Sequence, residues 1–97
     1  MKDPFLDLFS IIEDRKKSKS KKSYTQSLFK DGEKKIAQKF GEECAELIID
    51  FLKGTKKRTI EEATDVIYHL FVLLRSKKIS YQDIQKEIVK RNNVRRK

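Results

Sequence analysis

Apolar residues along this chain recur at intervals of three and four, the spacing that gathers them on one side of an α-helix. Asp3 followed by Pro4 reads as an N-cap and a first helical position, opening a helix to about residue 15 with Phe5, Leu8, Phe9 and Ile12 on one face. The lysine-serine stretch at 15–22 breaks the period. Ser23 then caps a short helix over 24–29, and Lys30-Asp31-Gly32 makes a turn. A long helix follows from residue 33 to about 53, stopped by Gly54. Its apolar arc holds Ile36, Phe40, Cys44, Leu47, Ile48 and Phe51, with Glu43 on the edge of that arc and Lys39 and Glu46 just beyond. Thr59-Ile60-Glu61-Glu62 fits a capping box, which predicts a loop over 54–59, a fourth helix over about 60–77, and a structural duty for Glu62. Ser80 and Asp83 fit a second capping box, opening a last helix to about residue 92 with Tyr81, Ile84, Ile88 and Val89 as its apolar side. The pattern predicts one all-α domain of about five helices spanning residues 1–97.

Two pairs of acids break the apolar faces in a telling way. Glu43 with Glu46, and Glu62 with Asp65, are each spaced i, i+3, so each pair projects from one side of its helix. Fifteen residues, 47–61, separate the pairs. In the fourth helix Glu62, Asp65 and His69 form a polar strip flanked by Val72 and Leu73, on a helix otherwise apolar over most of its circumference. A strip with apolar neighbours on both flanks faces an enclosed cleft. Four carboxylates drawn together repel one another unless protons or a cation intervene, and a hard, oxygen-seeking ion such as Mg²⁺ suits them. In an antiparallel hairpin the pairs lie level only if the chain reverses near Gly54, whereas the predicted loop is centred later.

Composition narrows the class. The 97 residues include no Trp, one Pro and three Gly, and 40% of them are charged, which suits helices and leaves few turn residues for strands. A single cysteine, Cys44, cannot form an internal disulfide, and the longest apolar run, 70–74, is far too short to cross a membrane. No secretory signal opens the chain, so a cytoplasmic location is expected. The net charge of +9 invites a polyanionic partner and is concentrated at 15–22 and 90–97, read as a solvated linker and a mobile tail. A helical chain this small, with a helix apolar on both flanks, is expected to pair with a second copy.

The segment Lys39-Phe40-Gly41-Glu42-Glu43-Cys44-Ala45-Glu46, together with 62–74 beginning Glu62-Ala63-Thr64-Asp65, resembles the phosphoribosyl-ATP pyrophosphatases of histidine biosynthesis. These belong to the MazG-like all-α nucleotide pyrophosphohydrolases, whose shared signature is E-x-x-E followed by E-x-x-D. The bare signature is weak, but the likeness extends through Ser23-Tyr24-Thr25, Gly32 and the sequence after Ser80, covering about 5–91. The resemblance implies a MazG-like bundle completed by dimerisation and Mg²⁺-dependent hydrolysis of phosphoribosyl-ATP to phosphoribosyl-AMP and pyrophosphate. It assigns Glu43, Glu46, Glu62 and Asp65 as metal ligands and catalytic groups, one of them free to act as general base. Tyr24 matches the family's Ser-Tyr-Thr segment; it either meets the nucleotide or anchors a loop. Lys39 meets a phosphate oxygen or pairs with Glu43, and His69 serves a ligand carboxylate, a phosphate or the interior. The chain departs from the family at the strongly basic 16–22 and at Cys44, where alanine is usual.

Two rival readings stand beside this one. A house-cleaning nucleoside triphosphate pyrophosphohydrolase of the same superfamily would use the same four acids. A helical nucleic-acid-binding module would instead use the basic linker and tail, with affinity that falls steeply with salt and survives loss of the acids.

Overall fold

A computed structural model describes residues 3–18 and 23–95, and among them there are five helices and no strand. These are α1 (Pro4–Lys17), α2 (Tyr24–Asp31), α3 (Glu33–Lys53), α4 (Lys56–Ser76) and α5 (Tyr81–Arg95). The all-α expectation holds.

Each start has a local cause. The Asp3 carboxylate accepts from the Phe5 amide ahead of Pro4, and the Ser23 hydroxyl accepts from the Gln26 amide. Ser80 and Asp83 exchange both bonds of a capping box at α5. Between α2 and α3 the chain turns at Gly32 with φ +100, a left-handed geometry that a side chain would strain. The linker begins later than predicted, since residues 15–17 continue α1, and Lys16 donates to the carbonyl of Arg75 at the end of α4. Similarly, 93–95 extend α5; the remainder of the basic linker, 19–22, and 96–97 lie outside the described residues.

The fourth helix starts four residues earlier than its sequence suggests. Thr55, not Thr59, is the N-cap, accepting from the Arg58 amide, so only Gly54 and Thr55 separate α3 from α4. Glu62 therefore stands in the second turn and is relieved of the capping duty predicted for it. The reversal now falls at Gly54–Thr55, which brings the two acid pairs level across an antiparallel hairpin.

Phe9, Ile12, Leu28, Ile36, Phe71, Val72 and Leu74 form the core, where α1 and α2 pack on the first half of α3 and the second half of α4. Ile12, Leu28 and Val72 are fully enclosed, each stabilising the fold by about 1.5–3 kcal/mol. Phe9 meets Phe71 edge-on at 5.3 Å, and the Tyr81 hydroxyl donates to Asp3, tying the start of α5 to the start of α1. The turn end of the hairpin is left open. On α3 the expected arc is buried at Ile36 and half-buried at Phe40, Cys44 and Leu47, but Ile48 and Phe51 are 58% and 72% exposed. The short α1 and α2 cover only the opposite end.

Candidate metal centre

Four acids meet where α3 and α4 run side by side. Ligand oxygens of Glu43, Glu62 and Asp65 lie within 4.8 Å of one another. Glu46 adjoins them, and the neighbouring Glu43 carboxylate above all raises its pKa. Their exposures differ. Glu62 is buried, Glu43 half-buried, and Glu46 and Asp65 reach solvent, so the cluster has an inner wall and an open mouth.

Glu62 is the least comfortable of the four. Burial comes first among the causes that raise its pKa, followed by Glu46, while Arg58 pulls it down. One oxygen, Oε1, accepts from the Arg58 guanidinium at 2.8 Å; the other, Oε2, is buried without a hydrogen-bond partner. Native proteins leave few buried polar atoms unpaired, because an unpaired one forfeits its hydration. A carboxylate with a free buried oxygen beside three more carboxylates is a donor set suited to a small divalent cation.

The remaining predicted residues surround this cluster. His69, buried on α4, directs Nδ1 at the Asp65 carbonyl at 2.8 Å and Nε2 at the Tyr24 hydroxyl at 3.0 Å. A carbonyl only accepts, so Nδ1 carries a proton, and in the neutral ring Nε2 receives that of Tyr24. Both ring nitrogens are thus engaged inside the chain. Tyr24 is half exposed, its hydroxyl pKa raised chiefly by desolvation. Lys39 pairs with Glu42 at 3.3 Å rather than with Glu43 as the i, i+4 reading had it, and that hydrogen bond raises its pKa. Glu42 is exposed and also accepts from Gln38. Tyr68, beside His69, exchanges a hydrogen bond with Thr25, which locks α2 against α4 behind Tyr24.

The model of the family described as phosphoribosyl-ATP pyrophosphohydrolase matches residues 5–92. A curated protein named phosphoribosyl-ATP pyrophosphatase from Bacillus cereus (strain Q1) is 47% identical over 92 residues, covering 95% of this chain and 86% of the relative. Another of that name, from Bacillus anthracis (strain A0248), is 46% identical over the same shares. The chain belongs to the phosphoribosyl-ATP pyrophosphohydrolase family. In this family member Cys44 is half-buried on α3.

The sequence reading missed one residue at this site. Arg58 touches Glu62, Glu61 at 3.0 Å and Asp50 at 3.5 Å. The signal was present as Lys56-Lys57-Arg58, but the loop drawn over 54–59 placed these residues outside the helices.

Proposed function

We propose that this chain hydrolyses the α-β phosphoanhydride of phosphoribosyl-ATP, releasing pyrophosphate and phosphoribosyl-AMP, with Mg²⁺ held by Glu43, Glu46, Glu62 and Asp65. Family membership supports the substrate, and the unpartnered, buried Glu62 Oε2 inside a four-acid cluster carries the metal reading. Bound Mg²⁺ would neutralise triphosphate oxygens and acidify a coordinated water at neutral pH.

The chain's own groups divide the remaining work. Glu46 and Asp65, at the open mouth, are the acids that incoming phosphate and water would meet first, and whichever does not coordinate would accept the proton of the attacking water. Lys39 offers an ammonium to a phosphate oxygen on exchanging its exposed pairing with Glu42. Tyr24 has committed its proton to His69, so its oxygen can only accept. That suits a sugar hydroxyl or an amino group of the nucleotide, not a phosphate. His69 serves by fixing that orientation.

The working form is a homodimer. Gly41, Ala45, Ile48, Ile49 and Leu52 share one side of α3 at i, i+4, i+7, i+8 and i+11, and all five are exposed in the single chain. With Phe51 and Ile60 they make an apolar surface of the kind that monomers seldom leave open, and small residues at one end permit close approach of a second α3.

Pyrophosphate release from phosphoribosyl-ATP, beside ordinary and damaged triphosphates, with Mg²⁺ present or chelated, tests the proposal. Glu43→Ala and Asp65→Ala should each lower turnover at least about a hundredfold while the far-ultraviolet helical signal persists. Equal turnover of damaged triphosphates would favour the house-cleaning reading, and undiminished release from both variants would remove the acids from the chemistry.

A further inference from the structure

The first turn of α4 runs against its own dipole. Helix N-termini favour acids, yet residues 56–58 are Lys-Lys-Arg and that turn holds no acid. Across the two-residue turn, Asp50 in the last turn of α3 is equally misplaced, an acid near a negative helix end. Each offsets the other: Arg58 Nη2 lies 3.5 Å from Asp50 Oδ2. Asp50 is further fixed by its backbone, whose carbonyl accepts from the Gly54 amide at 2.8 Å and from the Thr59 hydroxyl at 3.2 Å. The same Nη2 reaches Glu62 Oε1 at 2.8 Å, and Nη1 holds Glu61 at 3.0 Å. The guanidinium thus spans an anchored acid at the turn and one oxygen of the buried acid in the cluster. Only Oε2 of that acid remains unpartnered.

We propose that Arg58, anchored by Asp50, is a positioning residue for the divalent-cation site: it occupies Glu62 Oε1 and leaves Oε2 as the oxygen presented for coordination. This rests on the metal reading of the four acids. Arginine suits the task because its planar fork grips several carboxylate oxygens at once while carrying a charge that never titrates at working pH, whereas lysine offers a single point charge. The role also accounts for a basic residue in a turn where the helix dipole disfavours it. A bystander cation near the site would act oppositely, since its positive charge repels a divalent ion.

The test is titration of the full-length, nucleotide-free chain with Mn²⁺, followed by the ion's electron paramagnetic resonance, for wild type, Arg58→Met, Arg58→Lys, Glu62→Gln and the Arg58→Met/Glu62→Gln double variant. Arg58→Met should weaken Mn²⁺ binding about 10- to 100-fold, the range typical when a ligand loses the partner that orients it. In the Glu62→Gln background the same substitution should add little, because Arg58 acts through Glu62. Arg58→Lys should restore part of the loss. Unchanged or tighter Mn²⁺ binding by Arg58→Met overturns the proposal, as does a loss of equal size in the Glu62→Gln background. If wild type binds no Mn²⁺ and Glu62→Gln changes nothing, the metal reading itself fails. Circular dichroism of each variant separates weak binding from loss of fold.

Discussion

At position 62 a carboxylate with 5% exposure lies among three other acids and one arginine. Burial and Glu46 raise its pKa above the ordinary 4.5, so the folded chain holds this proton more tightly than the unfolded chain does. The stability it confers is therefore complete below about pH 4.5 and is lost as pH rises through the elevated native value. Metal-free Glu62→Gln should accordingly melt above wild type at pH 8, with the gap narrowing as pH falls toward 4.5. Thermal unfolding in chelator across that range checks this, and a gap that does not vary with pH would contradict it. Glu46, raised mainly by Glu43, acts in the same direction. The identity of the four acids was legible because i, i+3 spacing fixes a helix face whatever the helix packs against. Arg58 was not, since its meaning depends on Asp50, which only the chain reversal brings beside it.

The α3–α4 hairpin is the element on which the site depends, and its turn is tight. A Cβ at Gly54 would stand 2.8 Å from Asp50 Oδ1 and 2.9 Å from the Asp50 carbonyl oxygen, closer than non-bonded atoms tolerate. Gly54→Ala should therefore displace Asp50 and cost about 1–3 kcal/mol, measurable as a lower urea midpoint. A midpoint matching wild type would mean that the turn relaxes freely. Prediction from sequence placed this turn too late for a physical reason: Thr59 through Glu62 satisfies the capping-box pattern, and a basic first turn argues against a helix at 56. The hairpin overrode both preferences, with Thr55 as cap and Asp50, Glu61 and Glu62 neutralising Arg58. The starts of α1, α2 and α5 depend on bonds within three residues, at Asp3, Ser23 and Ser80, and these were readable directly.

Taken whole, the chain is more extended than its length requires: its Cα radius of gyration is 15.1 Å, against about 12.5 Å for a compact chain of this size. The excess fits a hairpin whose turn end projects past α1 and α2, and an α5 with no buried residue. Among the described residues no helix is long and apolar enough to cross a membrane. Ile48→Glu with Leu52→Glu should convert the proposed dimer to monomer in sedimentation velocity at micromolar concentration, and a wild-type chain that sediments as a monomer would refute the dimer. The sequence by itself determined the helices, most of their caps and the four acids, because periodicity, capping bonds and i, i+3 spacing are local. Only the tertiary structure decided where the hairpin turns, which acid is buried, which atoms His69 and Lys39 engage, and which apolar stripe stays uncovered. Those outcomes are set by contacts between helices, whose register no single stretch of sequence encodes.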